Sequence, residues 1–555
     1  MKKLIITFGI SGILLTGCVD LLQEPLSFPT PENIEYTEEN VTSLANGLYT
    51  SLWGGNYAYN CRTILMGLGA DDVSCGSYTK RGVHWDQLHV DMASMENDFM
   101  TMWDNMYKLI QGSNQLIEGL TATSSMTEEE KKQYLGEAYF MRAFAHFNLV
   151  RWFGDVPAFT DSQCATDFLG NSTITRNSVE DIYKKLIVPD LQLAETLLPN
   201  RGRVSDAPNS TVSKWAAKAC LAEVYLTMAG WPLKQTQYYA DARDKAFEII
   251  EDGGYDLVDH YEDLWKEATK SDDKEHIFAL NHSTDMYSNY GKSYYITEES
   301  TSAWSDYVAD SCFYERYPED ERKEFNFIDE FIINRRKVSF KNTTMRSPAI
   351  NKYRDYGGVN SAQSLGITPI YRYADVLLMY AEAQNKADHG PNTFAYEQIN
   401  KVRKRAMGGI DNPLTPNLDE EEFDKAVFDE RGWEFFCEFK RWFQLVRTEK
   451  VWDANQFTPR IKEGIDSYGV TKDNSKKTEA YFNFVQNGLV TSPAQNEVIY
   501  QGDTYVFDGQ DNIRIKTRYA KEQKLKGMMS WDLATDLPLS DSRSLLKTMT
   551  EELRE

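Results

Sequence analysis

The sequence predicts a mainly α fold of tetratricopeptide-like helical repeats. Three observations predict it. Apolar residues recur at helical spacing in one segment after another, from 38–53 to 393–407. These segments read as antiparallel pairs, with alanine at the crossing points and tyrosine, leucine or phenylalanine elsewhere; four pairs can be picked out, too irregular for a strict repeat length. Finally, a chain of 555 residues that is 41% hydrophobic and 13% aromatic can fill two to four average domains, or one large one.

In order along the chain, Lys2 and Lys3 form a basic start and Leu4–Leu15 an apolar run too short to span a bilayer. Residues 1–17 therefore read as an export signal. Leu15, Thr16, Gly17 and Cys18 resemble a bacterial lipobox, which implies cleavage before Cys18 and lipid on its thiol. The run 18–37, with Pro25, Pro29 and Pro31, reads as an extended tether. A first helix covers 38–53, and 54–93 is rich in Gly, Asp and aromatics without a helical period, so it reads as loop. From 94 to 120, Trp103, Tyr107, Ile110, Asn114 and Ile117 make one buried stripe. The helix 127–153 opens with Thr127 and Glu130 as a capping box and closes at Gly154 and Pro157. Segment 178–198 is helical but holds Pro189, which predicts a kink. Helices 211–229, 238–252, 371–387 and 393–407 surround a long mixed segment, 254–368.

Helix 127–153 is apolar on nearly every face, so it belongs at the centre of the fold. Arg142 and His146 form its one polar strip, and no Ser, Cys or acidic partner motif makes His146 a catalytic candidate. Its run GEAYFMRAFAHFNLVRWFGDVPAF, Gly136 to Phe159, resembles the signature helix of the SusD-like (RagB/SusD) surface glycan-binding lipoproteins. A second dense match is DERGWEFFCEFKRWFQLVRTEK, Asp429 to Lys450. There Arg431, Glu434, Glu438 and Arg441 fall along one stripe of a single helix amid aromatic residues, which predicts a structural ion-pair ladder.

The resemblance covers about 1–450, with 38–454 as the glycan-binding domain. It implies helical repeats packed against a loop-rich half, and no enzymatic activity. It also implies a lipid-anchored place on the outer membrane at the cell surface, and a SusC-like TonB-dependent transporter as partner that receives the captured oligosaccharide. Asp20 and Glu24, close behind Cys18, fit surface display in that group.

Residues 455–555 lack the ending usual in that family. The stretch EVIYQGDTYVFDGQDNIRIKTRYAKEQKLKGMMSWDLATD, Glu497 to Asp536, resembles instead the closing part of a family 18 glycoside hydrolase barrel. It predicts a hairpin about Gly502, a helix at 512–524, a buried strand at 527–531 and a last helix at 544–554, hence a small α/β tail. The alternative function is then a surface glycoside hydrolase of the chitinase or endo-N-acetylglucosaminidase type. However, a barrel needs roughly 250 residues, and the DxxDxDxE strand of that family is absent from the sequence.

Other chemistry is sparse. A net charge of −24 excludes a basic nucleic-acid face. No CxxC, HExxH, phosphate loop or EF-hand pattern occurs, so neither a metal nor another cofactor is expected. Cys220 and Cys437 read as core thiols, while Cys61 and Cys75 can bridge or stay apart. The remaining signal is aromatic. Arg81 and Trp85 in the first loop, and Tyr287, Tyr290, Tyr295 and Trp304 in the mixed segment, lie where no helical or strand period demands core packing. They are the candidate glycan-binding residues: flat rings for stacking on sugars, with polar neighbours for hydroxyls. Ordinary loop packing is the other reading of each.

Overall fold

The computed structural model describes residues 35–53, 63–75, 85–86, 92–161, 174–283, 307–353 and 365–451, a few single positions apart, and shorter stretches between 485 and 551. The export signal, Cys18, most of the tether and the predicted strand 527–531 lie outside the described residues. Chain contacts divide the molecule into Met1–Gly464 and Ile465–Glu555.

The first unit is a stack of helices. α1 (Glu38–Trp53), α2 (Met92–Ala122) and α3 (Glu128–Phe153) pack on one another. The predicted capping box of α3 is present: Glu130 N donates to Thr127 Oγ1 at 3.3 Å and Thr127 N to Glu130 Oε2 at 2.7 Å. As expected of a central helix, α3 is buried on all sides from Ala138 to Val150, except Tyr139. Of its polar strip, Arg142 is satisfied inside the core, while His146 bonds through Nδ1 alone. Arg142 forks onto Asp190 at 2.7 and 2.9 Å and reaches Asn114 Oδ1 at 2.8 Å.

The next helix, α4, runs Val179–Ile182, Tyr183–Ile187 and Val188–Leu197. Its middle segment is a π turn, and Pro189 sits in the first turn after it. The proline's missing N–H and the change of pitch fall together, so the helix passes through where a kink was expected. Gly136 of α3 lies so close to this helix that a Cβ there would come within 2.7 Å of Leu198. α5 (Lys214–Ala229), capped by Ser213, packs on α4 and on α6 (Tyr238–Asp252). Across an insertion α6 meets α9 (Tyr373–Ala387), which packs on α10 (Thr393–Ala406) and α11 (Glu420–Glu434). Neighbour-on-neighbour packing of this kind is how helical repeats build a continuous core.

The insertion, 254–368 in the sequence reading, is organised by short strand pairs rather than by helices. β1 (Val73–Cys75) pairs antiparallel with β3 (Tyr307–Ala309), β2 (His276–Asn281) with β8 (Ile367–Arg372), β4 (Phe327–Ile328) with β7 (Ala349–Ile350), and β5 (Glu330–Ile333) with β6 (Arg336–Ser339). Two short helices, α7 (Ser311–Glu315) and α8 (Glu321–Asn326), fill it out. β1 falls in the segment expected to be loop; three residues are too few to show the alternation that marks a strand.

One prediction is corrected. Residues 429–450 are not a single helix: α11 ends at Glu434, and α12 (Arg441–Arg447) starts after a turn in which Cys437 and Phe439 take positive φ, 58° and 66°. Cys437 is therefore a buried turn residue, whereas Cys220 is a helical core thiol, pushed up to about 12 by burial. In the second unit the predicted hairpin is formed by β9 (Glu497–Tyr500) and β10 (Asp503–Val506), with Asp503 paired to Tyr500. The helical positions described among the predicted last helix are Leu545, Lys547, Thr548 and Glu551.

Candidate functional site

One end of each aromatic segment of the sequence reading lies at a described residue, and those two ends meet. In the β1–β3 register Cys75 lies opposite Tyr307. The chain that leaves toward 76–84 and the chain that arrives from 284–306 thus share one end of one two-stranded sheet. The pairing is fixed from below. Asp310 N donates to Asp72 O at 2.9 Å, and Ser74 Oγ donates to Asp310 Oδ2 at 3.2 Å. Asp310 also caps α7 by accepting from Phe313 N at 2.9 Å.

The other end of the 284–306 segment is held similarly. His282 N donates to Gly366 O at 3.0 Å, and Lys270 Nζ donates to the carbonyls of His282 and Leu365, the latter at 2.7 Å. A single ammonium therefore ties the stem of 284–306 to the stem of 354–364. Loops carry binding residues when a rigid scaffold fixes their stems, and these stems are fixed.

That scaffold is tied together by buried charge. Arg372, at the end of β8, donates to Glu275 at 2.9 Å, Glu434 at 2.6 Å and Glu438 at 2.9 Å. Arg322 of α8 reaches Glu430 at 2.7 Å, Glu434 at 2.9 Å and Asp320 at 2.7 Å. Arg405 of α10 bonds Glu275 at 2.9 Å and also Glu434. Lys352 donates to Glu438 at 2.7 Å and to Phe436 O at 2.6 Å. Burial alone would raise the Glu434 carboxyl, but Arg405, Arg372 and Arg322 hold it down at about 2. Burial likewise pulls the Lys352 ammonium below its ordinary range, against the attraction of Glu438.

The expected ladder within one helix is instead a three-dimensional network joining the insertion to α10, α11 and the turn after it. Arg441 extends it to Asp71, at 2.7 Å, just before β1. Cys437 N donates to Asp72 at 3.0 Å, so the turn that breaks the helix also grips the first loop stem.

Of the candidate glycan-binding residues, Arg81, Tyr287, Tyr290, Tyr295 and Trp304 lie outside the described residues. Trp85 is described, and its ring is covered: it is buried, packs on Phe99 with ring centroids 4.9 Å apart, and donates from Nε1 to Asp98 at 3.2 Å. As placed, Trp85 is a packed residue of α2's neighbourhood rather than an open stacking face. His146 is closed to solvent too; its Nδ1 bonds Arg142 O at 2.9 Å, and burial lowers the imidazole to about 4. The stem contacts around Asp72, Asp310 and Lys270 were missed by the sequence reading, because no local pattern announces partners so far apart along the chain. Among the described residues no cluster of His, Cys, Asp or Glu could hold a metal, and no helix is long and apolar enough to cross a membrane.

Comparison with known proteins agrees with this architecture. A family model described as the SusD family matches residues 274–507, and one described as starch-binding associating with outer membrane matches 30–226. The first of these runs through the β9–β10 hairpin. SusD-like protein P2 of Formosa agariphila is 26% identical over 490 residues, covering 83% of this chain and 94% of its own. A SusD homologue from Bacteroides thetaiotaomicron superposes with a TM-score of 0.70 at 25% identity, over 81% of this chain and 94% of that one. The fold is shared further with surface glycan-binding protein A from the same species, solved in complex with laminarihexaose, at a TM-score of 0.61 and 21% identity, over 74% and 90% of the two chains. With a helical-repeat stack, a strand-paired insertion and family matches over most of its length, this chain belongs to the SusD-like family of non-catalytic glycan-binding proteins.

Proposed function

We propose that the protein is lipid-anchored through Cys18 at the cell surface, captures oligosaccharides and passes them to a SusC-like TonB-dependent transporter. The observation that carries the binding half of this reading is the Cys75–Tyr307 pairing, which roots both aromatic loop segments at one place. Family membership and the glycan complex of a structural relative support it. Within this reading Tyr287, Tyr290, Tyr295 and Trp304 stack on sugar rings, Arg81 bonds hydroxyls, and Trp85 supports the first loop from beneath.

A glycan array identifies the ligand, and calorimetry then compares variants. Trp304→Ala is expected to weaken binding by about 1–2 kcal/mol, the scale of a lost aromatic contact. Unchanged affinity would remove Trp304 from the site. The anchor is read in the same preparation: Cys18→Ser shifts the protein from membranes to the soluble fraction in high salt. Copurification from detergent extracts without any large barrel protein would refute the transporter step.

A further inference from the structure

The β5–β6 hairpin brings exposed apolar residues and cations together at its tip. Its base is anchored, because Phe331 packs with Phe340 and Ala349 under Tyr314 and Ile328. Its tip is not. Ile332 and Ile333 are 60% and 39% exposed. In the strand register Ile332 lies opposite Lys337 and Ile333 opposite Arg336. Cross-strand partners share a face and successive residues alternate faces. Each face of the tip therefore presents one isoleucine beside one cation.

The turn adds a third cation. Arg335 takes a positive φ of 60°, a conformation that two-residue hairpin loops usually give to glycine or asparagine. A bulky residue kept in that region points to use rather than to stability. Lys337 is paired with Glu330 at 3.0 Å, while Arg335 and Arg336 have no ion-pair partner among the described residues. In a chain of net charge −24 the tip is thus a local cationic and apolar point.

We infer that the tip of this hairpin dips into an anionic lipid surface, as a contact additional to the acyl anchor proposed above. A protein partner would cover one face of the hairpin and leave the other isoleucine wet. A charged polysaccharide would use the arginines but gives no burial to branched aliphatic side chains. A headgroup layer surrounds an inserted tip, so both isoleucines are buried while Arg335 and Arg336 meet phosphates. Combining a lipid chain with a basic patch is also how stable peripheral anchoring is usually reached.

The test uses the full chain with Cys18→Ser, so that no acyl group contributes, and flotation with vesicles of phosphatidylcholine alone or with phosphatidylglycerol added. Binding is expected only to the anionic vesicles, and it should fall steeply with salt. Arg335→Gly, which also relieves the turn and so leaves the fold intact, should weaken it several-fold. Ile332→Ser with Ile333→Ser, and Arg336→Glu, should each weaken it about tenfold or more. Equal flotation of the variants and the parent chain would overturn the inference. So would binding to neutral vesicles alone, or retention on an anionic polysaccharide without flotation.

Discussion

At the scale of single residues, the polar groups in the core show what the fold demands of its surroundings. His146 is fully buried, with its Nδ1 satisfied by the carbonyl four residues back. His282 bonds Thr368 Oγ1 at 2.7 Å and is lowered to about 3 by burial and by Lys270. Both stay neutral in the native state until well below the ordinary histidine value of 6.5. The unfolded chain binds protons at those positions first. Stability is therefore complete above about pH 6.5 and falls as the pH drops from there toward 4, by roughly 1.4 kcal/mol per pH unit for each histidine. Urea midpoints measured from pH 7.5 to 5 should decline accordingly. His146→Leu should flatten that decline whatever it does to stability at neutral pH, and an unchanged slope would mean the imidazole is solvated.

Between elements, the buried charge network does what apolar packing does elsewhere. It joins β8, α8, α10, α11 and the turn after α11 through side chains with almost no exposure. Removing one partner from such a group strands the others. Glu434→Gln leaves Arg322, Arg372 and Arg405 sharing fewer carboxylates, which should cost about 3–5 kcal/mol. Denaturant unfolding measures it, and a loss under 1 kcal/mol would show that solvent reaches the network. Much of the helical architecture was legible because its signals are local: the capping box at Thr127, the apolar encirclement of α3 and the alanine-rich α5 are all read within a few turns. The break after Glu434 was not. The aromatic residues continue through it without a change of pattern, and the positive φ at Cys437 and Phe439 falls on residues that do not advertise it. Loop stems were invisible for a different reason. Cys75 meets Tyr307, and Asp71 meets Arg441, only once the whole chain is folded.

For the molecule as a whole, the question is what the last hundred residues contribute. Chain contacts part at Gly464 and Ile465. The network of Arg322, Lys352, Arg372 and Arg405, the loop stems at Cys75–Tyr307 and His282–Gly366, and the helix stack from α1 to α12 all find the partners named above between residues 38 and 447. A body with its own core and its own satisfied charges meets the physical requirements of an independently folding domain. A chain ended after residue 464 is therefore expected to unfold cooperatively, to keep the glycan affinity of the full chain within about twofold, and to survive as the stable product of limited proteolysis, with early cuts between 452 and 495. If cleavage there abolishes glycan binding, or the shortened chain fails to fold, residues 465–555 are part of the binding domain.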